Sequence, residues 1–345
     1  MKLGYGHLAH SDLDEILSGV GQDWNKFTGS HLVVLGGTGF VGSWLVSALL
    51  HANKSLDLDL RLTVPTRNVN AAYVKLRLDG EDPIDLVEAD IREFSPSVFG
   101  RADYYLHAAT PSVKSTGAAN QSLVTEATLG GASRLLTYIS EGNSLPSFLH
   151  TSSGIVYGSQ PLDLEKLQEL EVVTEPEISK SYAHAKWEAE NLVRSATENG
   201  KIRGSNPRLF AFFGPHLALD EHFAIGNFMS DAMSGKKIQV QGNPNTVRSY
   251  LYPTDLTIWL IKLLAEPNIG AMNFGSEHPV TMMELAQTIT TLTSGQGIDF
   301  LNPAIDASRY VPSTRNTQEV LNVTQRVSLT DGLERWIKWL EASKK

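Results

Sequence analysis

The chain has 345 residues, room for about two domains at ~150 residues each, or for one large α/β core with a smaller lobe. Lys+Arg 29 against Asp+Glu 38 leaves a formal charge of −9, which excludes the basic footprint of a nucleic-acid binder, and 41% hydrophobic with 19% charged residues is a globular composition rather than a disordered one. The absence of cysteine excludes disulfides, thiolate catalysis, iron–sulfur clusters and Cys-ligated zinc, and it suits a reducing, cytoplasmic compartment.

The N-terminus lacks the basic-then-apolar order of a secretion signal. Leu13, Ile16, Leu17, Val20, Trp24 and Phe27 recur at helical spacing behind Ser11 as N-cap, with Asp14 and Glu15 in the first turn. They predict a helical extension over residues 1–30 packed on the main domain. Residues 27–53 carry no Asp, Glu, Lys or Arg and are long enough to cross a bilayer. Gly36, Gly37, Gly39 and Gly42 break them instead into a buried strand, a turn and a buried helix, each too short to span. Strand-like runs at 31–35, 61–65, 85–88, 104–107, 147–151 and 208–213 then alternate with helical runs at 40–51, 120–141 and 181–199. This alternation predicts parallel β-α-β units over residues 31–215. After Gly214-Pro215 the pattern loosens into a smaller lobe over 216–345, from which 256–265 and 283–292 read as helices returning to the first domain.

Between the first strand and its helix, Gly36, Gly39 and Gly42 stand at a G-x-x-G-x-x-G spacing, with Phe40 and Val41 opening the helix. Such a turn lets the chain bend tightly, approach a pyrophosphate without a Cβ in the way, and aim a helix N-terminus at negative charge. At the end of the second strand an acidic side chain suits the ribose 2′-hydroxyl of NAD, and a basic one suits the 2′-phosphate of NADP. The run Thr63-Val64-Pro65-Thr66-Arg67-Asn68 offers no acid and one arginine, Arg67, which favours NADP over NAD. The alternatives for Arg67 are stacking on adenine or a solvated loop position. Asp90 and Ile91 after the third strand, and Ala108, Ala109 and Thr110 after the fourth, are further cofactor contacts.

Tyr182 and Lys186 are four residues apart at the start of a helical run, on one face, one turn apart. Bringing a phenol from ~10 to ~7 takes about 4 kcal/mol, and one ammonium about 4 Å away at an effective dielectric of ~20 supplies roughly that. Ser152 and Ser153 follow the apolar Phe148-Leu149 at a strand's carboxyl end, where open α/β sheets bind ligands.

These three elements, the glycine turn at 36–42, the serine segment at 152–158 and the Tyr182/Lys186 pair, resemble in their order the extended short-chain dehydrogenase/reductase family. Within it they look like the nucleotide-sugar epimerase and dehydratase branch, from about residue 31 to the C-terminus. The resemblance implies a Rossmann-type doubly wound sheet, a nicotinamide cofactor and a C-terminal lobe for a nucleotide-diphosphate sugar. It makes Ser153 the catalytic Ser/Thr, Tyr182 the general base, and Lys186 the residue that holds the nicotinamide ribose and lowers the tyrosine pKa. Arg248 matches an arginine used on the substrate diphosphate, and Ser152 and Asn227 join it as substrate-binding candidates. Departures select the reaction. The 4,6-dehydratases carry an Asp-Glu pair after the catalytic Ser/Thr where this chain has Gly154 and Ile155, and decarboxylases resembling the family place a Glu at Ile155. Ala211 replaces the Asn of an Arg-x-x-Asn run that begins at Arg208. A C-terminal substrate arginine has only Arg309 or Arg315 as candidates.

Ten histidines show no metal-ligand spacing, with His184 and His222 read as ordinary loop or helix residues. Trp336, Ile337, Trp339 and Leu340 read as one face of a closing helix. By resemblance alone the helices at 120–141 and 181–199 form a homodimer interface. The expected activity is an NAD(P)-dependent C4 epimerisation through a 4-keto sugar. The alternative is an NADPH-dependent 4-keto reductase, and behind both stand a 4,6-dehydratase and a non-catalytic NADP-sensing module.

Overall fold

The computed structural model describes residues 7–110, 121–169, 181–221, 223–266 and 270–343. Its centre is a parallel sheet of β1 (His31–Leu35), β2 (Arg61–Thr66), β3 (Ile84–Glu88), β4 (Tyr104–His107), β5 (Ser147–His150), β7 (Arg203–Leu209) and β10 (Ala271–Phe274), in the order β10-β7-β5-β4-β1-β2-β3, with the short β6 (Ser152–Ser153) beside β7. Every residue of β1 is buried, as expected of a parallel strand covered by helices on both faces. β1 pairs on one side with β2 and on the other with β4, so Val33 faces both Thr63 and Tyr105. The strand order reverses between β1 and β4, and the loops leaving their carboxyl ends form the crevice in which such sheets bind ligands.

The strand expected at 208–213 runs over 203–209 instead. Gly204 and Pro207 disguise it, because proline removes a ladder donor. The structure tolerates Pro207 where the β5 ladder, which reaches Ser205, gives way to β6, which resumes at Arg208. Helix α1 (His10–Val20) begins two residues earlier than read, with Ala9 at its N-cap and no side-chain cap. Ser11 lies inside its first turn. The helix is anchored through buried Asp12, which accepts from Arg335 Nη1 at 2.8 Å and from the Tyr252 hydroxyl at 3.1 Å. Helix α2 (Phe40–Leu56) continues past residue 51 because Asn53 is fastened to the backbone of Leu60 by two hydrogen bonds of 2.8 and 2.9 Å, and α3 (Val69–Leu76) follows β2.

The helix expected at 120–141 runs without a break over 121–140, as α4 (Gln121–Thr125) and α5 (Gly131–Ser140) joined by a π segment at Glu126–Gly130; residue 120 lies outside the described residues. They pack beside α6 (Ser181–Glu198). In the second lobe β8 (Ile238–Gln241) pairs with β12 (Ile298–Leu301), while β9 (Val247–Ser249) lies between β11 (Pro279–Thr281) and β13 (Arg309–Tyr310). Of the two helices expected to return, only Pro253–Ala265 does so, against α1 and α2. Met282–Leu292 stays with β8 and with the helix Ala224–Met233. Among the described residues no helix is long and apolar enough to cross a membrane.

Candidate functional site

A cavity of about 2010 Å³ runs from the ends of β2 and β3, over the turn after β1, past β6 and α6, to β9 and β13. At Gly36 the backbone is left-handed, with φ +84, and a β-carbon there would sit 2.7 Å from Ala108 C and Ala109 N. The turn is therefore pressed against the loop after β4, which only glycine permits. Gly39 is the N-cap of α2 without a side-chain cap, and the first turn carries no acid, so its amides remain available to an anion. Gly42 does not line the cavity; it seats α2 on the turn, since a β-carbon would lie 2.1 Å from Gly36 O. These features fit a dinucleotide pyrophosphate.

At the end of β2, Arg67 is exposed on the cavity wall. Asp90 lies near it, but both of its carboxylate oxygens are engaged by Arg92, at 2.9 Å to Nε and 2.5 Å to Nη2. That ion pair, with help from Arg67, pulls the Asp90 carboxyl down to about 2. Ile91, Ala108, Ala109 and Thr110 also line the cavity.

The reacting groups converge where β6 meets the first turn of α6. The Ser153 hydroxyl lies near enough to Tyr182 to act on its phenol, and Ser153 Oγ accepts from Ile155 N at 3.3 Å. Lys186 is buried one turn behind the tyrosine, its ammonium 5.9 Å from the Tyr182 ring centroid. Lys186 Nζ donates to Thr151 O at 2.6 Å and to Thr110 Oγ1 at 3.0 Å. Burial pushes Lys186 down to about 7, with Glu190 opposing. Burial pushes Tyr182 up, with the Ser153 hydroxyl opposing. The lysine is thus not a fully charged neighbour near neutrality, which differs from the standing ammonium expected from the spacing alone; desolvation of both groups is the reason. Beneath them the buried His107 and His150 pair through their Nδ1 atoms at 3.0 Å. Burial holds His107 down at about 3 and His150 well below its usual range, with the Lys186 charge acting in the same direction.

On the second-lobe side Arg248 lines the cavity from β9, and its guanidinium donates to Val247 O at 2.8 Å and to Ser308 Oγ at 3.0 Å. Arg309 lines the cavity while donating to Glu165 O at 2.9 Å; Arg315 points away and pairs with Glu319. Ser152 faces the cavity, whereas Asn227 does not line it. Ile155 is 37% exposed at the cavity wall. Arg208 is buried in a bidentate pair with Glu190, at 3.0 and 2.8 Å, and donates to the Tyr157 hydroxyl at 2.8 Å. It braces the serine segment through Tyr157, and Ala211, where the family run has Asn, lines the cavity. His222 lies outside the described residues, and His184 sits against Trp187, away from the cavity. Trp336 is buried as read, but Trp339 reaches the cavity rim beside His216. Sequence reasoning missed Tyr310, which reaches Ser153 from β13; nothing local to Arg309-Tyr310-Val311 signals it. Among the described residues no group of His, Asp and Glu could hold a metal ion.

Comparison with known proteins agrees with this architecture. Residues 32–275 match the model of the NAD dependent epimerase/dehydratase family. UDP-glucuronic acid decarboxylase 1 of Arabidopsis thaliana is 26% identical over 310 residues, 89% of this chain and 68% of its own length. UDP-glucuronic acid decarboxylase 3 of the same plant is 25% identical over 319 residues, covering 88% and 86%. Among solved structures, the UDP-glucose 4-epimerase of Thermotoga maritima with UDP-glucose superposes with a TM-score of 0.79 at 19% identity, over 91% of this chain and 100% of that one. The UDP-glucuronic acid 4-epimerase of Bacillus cereus, in complex with UDP-glucuronic acid and NAD, gives 0.77 at 18% identity, over 90% and 99%. These structures share the Rossmann-type fold. With more than half of its length matched and the glycine turn, Ser153, Tyr182 and Lys186 lining or framing one cavity, the chain belongs to the NAD dependent epimerase/dehydratase family, the extended short-chain dehydrogenase/reductase enzymes of nucleotide sugars.

Proposed function

We propose that this enzyme is an NAD(P)-dependent nucleotide-sugar 4-epimerase working through a 4-keto sugar. The observation that carries the reading is the neighbouring Ser153 and Tyr182, in a cavity shared with the glycine turn and Arg248, with Gly154 and Ile155 leaving no carboxylate beside the serine. A bound nicotinamide dinucleotide supplies a hydride acceptor and donor. Ser153 holds the C4 oxygen of the sugar while Tyr182 takes its proton, and the same phenol returns the proton once the keto sugar has presented its other face. Arg248 donates to the diphosphate of the substrate. Lys186, fixed by Thr110 and Thr151, holds the ribose next to the phenol.

Arg67 and the engagement of Asp90 by Arg92 favour NADP over NAD, because among the described residues lining the cavity at the ends of β2 and β3 the carboxylate, Asp90, is held by Arg92 rather than offered to a 2′-hydroxyl. That preference also favours the second reading, a reductase of ready-made 4-keto sugars. We extend the proposal to a cytoplasmic homodimer joined through α4, α5 and α6. The test is incubation with UDP-glucose, UDP-glucuronic acid and their N-acetyl counterparts, with NAD or NADP bound. The C4 epimer is expected, with no net change in reduced-nicotinamide absorbance. Release of carbon dioxide, or stoichiometric oxidation of NADPH by a 4-keto sugar, would overturn it.

A further inference from the structure

Ser153 has a second hydroxyl neighbour. Tyr310, on β13, lines the same cavity with its hydroxyl beside Gly154, and the Ser153 and Tyr182 hydroxyls lie near enough to act on it. Its ring stacks on Phe210, centroids 4.5 Å apart and planes at 28°. Its main chain is held on both sides: β13 pairs with β9 in the register Tyr310↔Arg248, and Val311 N donates to Gln160 Oε1 at 2.8 Å. The second lobe therefore delivers Arg248 and Tyr310 together, and Tyr310 crosses to groups of the Rossmann sheet.

The space it occupies belongs to a missing side chain. A β-carbon on Gly154 would lie 2.6 Å from the Tyr310 hydroxyl and 2.5 Å from Phe210 Cζ. Any residue larger than glycine at 154 therefore competes with the phenol for one volume. Where the dehydratase pattern has a carboxylate beside the serine, this chain places a phenol that comes from 156 residues further along.

Hydrogen-bond accounting assigns its role. A serine hydroxyl has one proton and two lone pairs. One lone pair of Ser153 accepts from Ile155 N. Burial keeps the Tyr310 phenol protonated far above neutrality, so it is a donor. We propose that Tyr310 is a positioning residue of the reacting centre: its hydroxyl fills the second lone pair of Ser153, so that the serine's only proton is directed to Tyr182 or to the sugar oxygen bound between them, and Gly154 is glycine to admit it. The proposal rests on the Ser153–Tyr182 chemistry above, and it adds a donor from the opposite lobe. Charged or titratable groups facing the Tyr310 hydroxyl are Tyr182 from α6, Arg248 from β9 and Tyr157 from the serine segment.

The test compares wild type with Tyr310→Phe, which keeps the ring stacked on Phe210 and removes only the hydroxyl, and with Gly154→Ala, which takes its space. In dinucleotide-bound protein the phenolate absorbance of Tyr182, isolated by subtracting a Tyr182→Phe control, is titrated with pH. Turnover is measured beside it. Cooperative strengthening of ~10–30% per bond in a chain predicts that Tyr310→Phe moves the Tyr182 titration to higher pH by a few tenths of a unit and lowers kcat by about two- to fivefold, with KM and thermal midpoint unchanged. Gly154→Ala is expected to move the titration in the same direction. An unchanged Tyr182 titration in Tyr310→Phe overturns the proposal, leaving Tyr310 as packing. Because the titration needs no substrate, it also reads the hydroxyl chain if no nucleotide sugar is turned over, so failure of the epimerase reading is separately visible.

Discussion

Lys186→Met removes an ammonium that the fold holds away from water. In the folded chain burial brings this lysine from 10.5 down to about 7. A base whose folded pKa is depressed is disfavoured in its charged form. The cost is complete below about pH 7 and is relieved as pH rises toward the unfolded value, because over that window the unfolded chain binds more protons than the folded one. Integrating over about pH 6.5 to 9.5, wild type should gain roughly 3 kcal/mol of stability relative to Lys186→Met. The hydrogen bonds that the variant loses, to Thr151 O and Thr110 Oγ1, do not titrate in this window. They cancel in the difference, as do the other lysines. The assay is urea unfolding of dinucleotide-free protein at both pH values, followed by tryptophan fluorescence. A stability difference between the two proteins that stays constant within about 1 kcal/mol across the window would refute the claim that Lys186 is desolvated at the site.

Two further substitutions separate steric from electrostatic demands. Gly42→Ala puts a β-carbon 2.1 Å from Gly36 O and 2.6 Å from Gly37 Cα, both backbone, whereas Gly39→Ala meets only Gly36 O at 3.1 Å. The first should cost about 1–3 kcal/mol and weaken dinucleotide binding at least about tenfold, and the second should do much less. Calorimetric titration with NAD and NADP measures both, and equal losses would contradict the packing role of Gly42. Glu190→Gln leaves the Arg208 guanidinium, 7% exposed as a residue, without its carboxylate. It should cost about 3–5 kcal/mol in denaturant unfolding, and a loss below about 1 kcal/mol would show that the pair does not brace the serine segment.

The local sequence determined whatever depends on neighbours in the chain. The glycine turn is legible because its left-handed φ at Gly36 and the helix that follows both lie within or beside residues 36–42. Tyr182 and Lys186 are legible because a four-residue helical spacing brings them to one face. Ser153 is legible because a strand end precedes it. Long-range pairing decided the rest. β7 begins at Arg203 rather than Arg208 because β5, β6 and β10 supply partners around Gly204 and Pro207, overriding what those residues favour alone. The charge state of Lys186 is set by its burial, which no spacing reports. Tyr310 meets Ser153 only because β13 pairs with β9 and the lobe folds back over Gly154. Helical and turn geometry extend over a few residues, whereas desolvation and contacts between lobes depend on the whole chain, so the motif was readable as sequence and the neighbours that tune it were not.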